Sequence, residues 1–170
     1  MEAKKKIVNS QFMRRLKLLF ILLFYVFANV QGQEIKSVKI TAIEKIIVES
    51  NTPLIINMWA TWCKPCVEEL PYFQEEVKKH DGLQLLLVSL DFKEGFPKGI
   101  KKFMDKREIT APVVWLNETN ADYFCPKIDS NWSGAIPATL FINNKTGYRN
   151  FVEEKISPEK LKQEIMAILK

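Results

Sequence analysis

From residue 35 onward, hydrophobic and polar positions alternate between two periods, one suited to strands and one to helices. "LIINMW", Leu54 to Trp59, is an apolar run rich in branched residues and opened by Pro53. It is too short for a domain helix, so it predicts a buried parallel strand. "LQLLLVSLDF" and "APVVWL" read the same way, and "IKSVKI" predicts a further strand. Between them the spacing lengthens. Thr41 and Glu44 have capping-box spacing, and Ile43, Ile46 and Ile47 recur at helical intervals up to Ser50. Cys63 to His80 is charged and helix-forming, with Pro71 predicting a kink about two turns in. "KGIKKFMDKREI" predicts an amphipathic helix, and the weakly patterned stretch from Asn117 to Gly134 a loop with one helical turn. "ATLFIN", the turn "NKTG" and "YRNFVEE" predict a β-hairpin. Ser157 as N-cap and Pro158 at the first helical position open a last helix with Leu161, Ile165, Ile168 and Leu169 on one face. Strands alternating with helices and ending in a hairpin predict an α/β domain with a central sheet flanked by helices.

Composition agrees with one globular domain: 170 residues, 47% hydrophobic and 26% charged. Six of the 25 cations but only one of the 20 acids precede residue 33, which leaves 19 of each in the remainder. The basic excess therefore belongs to the N-terminus and gives no support for nucleic-acid binding. There, a cationic stretch leads into "LLFILLFYVFANV", Leu18 to Val30, and then "QGQE", the layout of an export signal. The apolar run is shorter than the about 20 residues that cross a bilayer. Residues 1–32 are thus expected to be a signal peptide and 33–170 the domain, outside the cytoplasm in the bacterial periplasm. An uncleaved anchor is the alternative, because no Ala-x-Ala precedes Gln33. Met13, followed by Arg14 and Arg15, offers a shorter start, and Cys63, the first cysteine, lies too far on for a lipoprotein anchor.

The candidate chemistry lies in "NMWATWCKPCVEELP", residues 57–71, where two cysteines three apart sit between a strand and a helix. Zinc needs four ligands, and only Cys125 and His80 remain to complete a set. In an oxidising compartment such a pair cycles between dithiol and disulfide. Cys63 at the helix N-terminus has its thiolate favoured by unpaired amides and the helix dipole, and Cys66, one turn on, is placed to resolve a mixed disulfide. The bland alternative is an inert disulfide clamping one turn.

These residues resemble the thioredoxin-like proteins, and within them the exported TlpA, ResA and CcmG group of thiol-disulfide oxidoreductases. The resemblance rests on "NMWATWCKPCVEELP" and on "GAIPATLFINNKTG", residues 134–147. It implies a thioredoxin-like fold with a mixed central sheet, Cys63 as nucleophile and Cys66 as resolving cysteine. It also implies a cis bond before Pro137, with Ile136 and Pro137 facing the cysteines and pairing with substrate backbone. Trp62, Lys64 and Pro65 complete the expected substrate-facing rim, and Trp59 packs beneath it. Thioredoxins carry a buried Asp where this chain has Asn57, so Glu69, three after Cys66, is the expected proton acceptor for Cys66.

The Lys64-Pro65 dipeptide resembles that of reductants, so the expected direction is reduction of protein disulfides, apocytochrome c among them, with no cofactor and no metal. By the same analogy electrons come from a membrane thiol transporter of the DsbD or CcdA kind. A peroxidase of the peroxiredoxin group and a non-catalytic binding module are the competing classes. Cys125 reads as a buried small residue, with a third redox thiol as the alternative. His80 reads as a solvated helix end, and the sequons at Asn117, Asn131 and Asn144 as coincidence.

Overall fold

The structure, a computed structural model, describes residues 34–170, so the expected signal peptide lies outside the described residues. In chain order the elements are β1 Lys36–Val38, α1 Ile40–Glu49, β2 Leu54–Trp59, α2 Lys64–Val77, β3 Gln84–Ser89, a 3-10 turn Lys93–Gly95 and α3 Lys98–Arg107. Then come β4 Val113–Leu116, α4 Ala121–Ile128, β5 Ala138–Asn143, β6 Tyr148–Val152 and α5 Pro158–Ile168. The strands form one mixed sheet ordered β1-β4-β3-β2-β5-β6. Its first four members run parallel, and β5 and β6 pair antiparallel.

Every residue of β2 and β5 is buried, which is why both read as unbroken apolar runs. Alternation along β2 sends Ile55 and Trp59 to one face and Leu54, Ile56 and Met58 to the other. The first face packs against Leu70 and Phe73 of α2, Ile100 and Met104 of α3, and Leu161, Ile165 and Ile168 of α5. The second packs against Ile40, Ile43 and Ile47 of α1 and Phe124 and Ile128 of α4. This is the expected mixed sheet flanked by helices, with the neighbouring strands β2 and β5 carrying the two sequence segments of interest.

Local details depart from the sequence reading. Helix α1 begins at Ile40, so β1 is only three residues long and Thr41 does not cap. Its N-cap residue, Lys39, makes no side-chain cap; Glu118, far along the chain, accepts from the Ile40 amide at 3.1 Å instead. The buried stripe is Ile40, Ile43 and Ile47, leaving Ile46 37% exposed, and Leu169 is likewise exposed beyond the end of α5. The stretch expected to be mostly loop holds α4, a two-turn helix with Pro126 inside it. Proline hides a helix from pattern reading because it removes a donor, here the one that would reach the Asp122 carbonyl.

Candidate active site

Strand β2 delivers the chain to a tight turn, in which the Cys63 amide donates to Ala60 O at 3.1 Å. Cys63 is the N-cap of α2: its Sγ accepts from the Cys66 amide at 3.3 Å, and Pro65 stands in the first turn where no donor is needed. Cys63 and Cys66 form a disulfide with Cα atoms 5.3 Å apart. Cys63 is 5% exposed and Cys66 fully buried, whereas Lys64 and Pro65 face solvent. Across the site the Ile136–Pro137 peptide is cis, and Ile136 O lies 3.7 Å from Cys63 Sγ. Antiparallel pairing of Met58 with Ala138 is what brings Pro137 beside the end of β2.

Beneath the cysteines sits a buried polar cluster. Asn57 and Thr139 are opposite residues of β2 and β5, and Asn57 Nδ2 donates to Thr139 Oγ1 at 2.9 Å and to Glu69 Oε1 at 2.8 Å. The Ile156 amide donates to Glu69 Oε2 at 3.0 Å. All three polar side chains are fully buried. Burial pushes the Glu69 carboxyl up to about 7, against the Ile156 amide, the Asn57 amide and the Lys155 charge, which favour the carboxylate. Glu69 is thus a buried carboxyl, one helical turn from the buried cysteine, that titrates near neutrality.

The rim is aromatic. Trp62, 55% exposed, stacks on Phe92, 70% exposed, with ring centroids 5.7 Å apart. The residues that precede the two rings, Thr61 and Asp91, are tied to each other: the buried Asp91 carboxylate accepts from the Thr61 amide at 3.1 Å, from the Thr61 hydroxyl, and from Ser89 Oγ at 2.8 Å. The Asp91 carbonyl accepts from Trp115 Nε1 at 2.7 Å. Replacing Asp91 by Ala leaves buried donors on Thr61 and Ser89 without partners. The expected loss is about 2 kcal/mol in a urea melt, and an unchanged midpoint would remove Asp91 from the support of this loop.

Cys125 is 3% exposed, and its thiol is pushed up to about 11 by burial, then by the charges of Glu153 and Asp122. Its burial agrees with the reading of Cys125 as a buried small residue. His80 lies in the turn after α2, with Nε2 3.8 Å from Glu76 Oε1. A cavity of about 670 Å³ lies at the other end of the sheet, against Leu54 and Gln84, which begin β2 and β3. It is remote from the cysteines, which lie beyond the ends of those strands. Among the described residues no three His, Cys, Asp or Glu side chains converge as a metal site requires.

Sequence reasoning named Cys63, Cys66, Glu69, Trp62, Lys64, Pro65, Ile136 and Pro137. The cysteines, Ile136 and Pro137 come together, with the exposed Trp62, Lys64 and Pro65 around them and the buried Glu69 one turn along the helix. It missed Asp91, Thr139 and the Ile156 amide. A lone acid directly after an apolar strand was the available signal for Asp91.

A mixed sheet with α1 and α4 on one face, three helices on the other, and a cysteine pair opening α2 defines a thioredoxin-like α/β protein. The same fold is found in the thioredoxin-related protein from Neisseria meningitidis serogroup B, with a TM-score of 0.60 and 24% identity over 71% of this chain and 87% of that one. More particularly, the chain belongs to the AhpC/TSA family, whose pattern matches residues 27–147. It is similar to the thiol-disulfide oxidoreductase ResA of Geobacillus thermodenitrificans, 26% identical over 118 residues, 68% of this chain and 62% of that protein. The ResA of Bacillus cereus is 32% identical over 117 residues, 68% and 61% of the two chains. The chain thus spans about three-fifths of the length of these relatives.

Proposed function

We propose that this protein is a thiol-disulfide oxidoreductase that reduces disulfides of exported proteins. The observation that carries the reading is the placement of Cys63: at a helix N-terminus, 5% exposed between the solvent-facing Trp62 and Lys64, facing a cis-proline, with its partner Cys66 fully buried one turn behind. In the reduced protein the Cys63 thiolate attacks one sulfur of a substrate disulfide. A mixed disulfide forms, and the other substrate sulfur leaves as a thiolate and takes up a proton. Cys66 then gives its proton to Glu69 and attacks Cys63 Sγ. The Cys63–Cys66 disulfide forms and the second substrate thiolate departs, so two electrons pass from protein to substrate.

An exposed, convex rim of Trp62, Phe92, Lys64 and Pro65 suits a disulfide carried by a protein better than a small molecule, which would want an enclosing pocket. Apocytochrome c is one such substrate, electrons are supplied by a membrane thiol transporter of the DsbD or CcdA kind, and the setting is the bacterial periplasm. The cationic and apolar pattern of residues 1–32 supports export. A peroxidase of the peroxiredoxin group needs Pro-x-x-x-Thr-x-x-Cys, and Ile56 and Ala60 stand where that pattern has Pro and Thr before Cys63.

The test is the equilibrium potential of the Cys63–Cys66 couple, titrated in thiol-disulfide buffers and followed by Trp fluorescence. A value near the roughly −270 mV of thioredoxin is expected. One near the roughly −120 mV of DsbA would reverse the direction, and a pair that resists reduction under native conditions would make it a structural staple.

A further inference from the structure

The segment that enters β5 is held from outside the cysteine motif, by Glu153. Strand β6 pairs Val152 with Thr139, so the next residue, Glu153, falls beside the chain that leads into the cis peptide. Its Oε1 accepts from the Ser133 amide at 3.0 Å, from the Ala135 amide at 3.0 Å and from the Ser133 hydroxyl, and Oε2 also faces the Ser133 amide at 3.2 Å. Two alternate backbone amides turned onto one carboxylate leave that stretch little freedom. Two further contacts act on the same four residues. Trp132 Nε1 donates to Ala135 O at 2.8 Å. Gly134 adopts φ +96°, where a side chain is strained, and a Cβ there would lie 3.6 Å from Cys125 Sγ. Glu153 is therefore the tie that holds the segment down. The next carbonyl along, Ile136 O, is the one 3.7 Å from Cys63 Sγ.

We propose that Glu153 is a positioning residue for substrate docking: by holding Ser133 to Ala135 it sets the height of Ile136 and Pro137 above Cys63, where a protein disulfide must lay its backbone. The proposal rests on the function argued above and deepens it, because it separates recognition of the polypeptide from chemistry at sulfur. A protein substrate needs both the Cys63 sulfur and the backbone of the facing segment, whereas a small disulfide needs only the sulfur. Burial alone would raise the Glu153 carboxyl, but the Ser133 hydroxyl and the two amides outweigh it and hold the carboxyl below its usual value, so the tie is ionised at neutral pH.

The experiment uses Glu153→Ala and the conservative Glu153→Gln, each reduced and assayed against insulin and against 5,5′-dithiobis(2-nitrobenzoate). In Glu153→Ala the ratio of the insulin rate to the small-disulfide rate is expected to fall roughly tenfold, through KM. Glu153→Gln, which keeps one acceptor oxygen, is expected to fall between. An unchanged ratio in Glu153→Ala would overturn the proposal, because a purely structural role lowers both rates together or neither. An independent reading comes from amide hydrogen exchange: Ser133 and Ala135 are expected to be protected in the wild type and to lose that protection in Glu153→Ala. Equal protection in the two proteins would also overturn it. A wild type inactive on both disulfides would defeat the proposed function instead, and the amide measurement would still decide whether Glu153 ties the segment.

Discussion

Cys66→Ser is expected to accumulate a mixed disulfide with substrate protein, while Cys63→Ser forms none and loses exchange by a factor on the order of 10³ or more. The asymmetry follows from position. Cys63 caps the helix, accepts the Cys66 amide through Sγ and keeps 5% of its surface open beside the exposed Trp62 and Lys64, so of the two sulfurs it is the one a substrate can reach. Cys66 is fully buried one turn on and has access only to the sulfur of Cys63. A serine there lets the first exchange proceed and blocks release. The check is mass spectrometry of the two variants after mixing with an oxidised protein substrate. Equal adduct formation by both would assign the roles wrongly, and adducts on neither would remove the nucleophile.

Glu69→Gln is expected to flatten the dependence of stability on pH between about 4.5 and 7. In the folded protein the Glu69 carboxyl titrates at about 7, against 4.5 in an unfolded chain. Between those values the folded state holds a proton that the unfolded state has lost. The stabilisation is therefore complete below 4.5 and disappears as pH rises through 7, a decline of about 3 kcal/mol. Glu68, Glu76, Glu153 and Glu164 are shifted the other way, so their contributions are lost only as pH falls below the ordinary carboxylate range. Tyr72 and Tyr148, both pushed up to about 12, act far above it. Among the carboxyls displaced in the fold, Glu159 being lowered too, Glu69 is the one raised into this window. A protonated Glu69 also needs an acceptor. Asn57 Oδ1, buried and without a partner among the described residues, supplies one if the amide turns by half a rotation. Urea melts of the oxidised protein across this range decide the matter: parallel curves for wild type and Glu69→Gln would mean that the carboxyl is ionised throughout. The same substitution is expected to remove an inflection near neutrality from the pH profile of exchange.

The elements and the cysteine pair were legible because both are local. Period-two and helical spacing, Pro158 after Ser157, and two cysteines before a charged helix are all read within a dozen residues. What escaped depends on partners brought in by the sheet. The start of α1 is set by Glu118, not by Thr41, because a carboxylate far along the chain reaches the Ile40 amide first. Asp91 supports the cysteine turn from the end of β3, and Glu153 supports the facing segment from the end of β6. Each carries an ordinary acidic letter in a loop, and only the strand register gives it a role.

The sheet order has a consequence for the order of assembly. Cys63 and Ile136 are 73 residues apart, and they meet only when β5 inserts antiparallel beside β2. In a chain that emerges from its N-terminus the thiols come out before the segment that will face them. During that interval β2, β3 and the helix bearing the cysteines can associate through parallel pairing alone, with both sulfurs uncovered and no cis-proline opposite. A chain interrupted before β5 thus exposes a reactive dithiol without the surface that selects its targets.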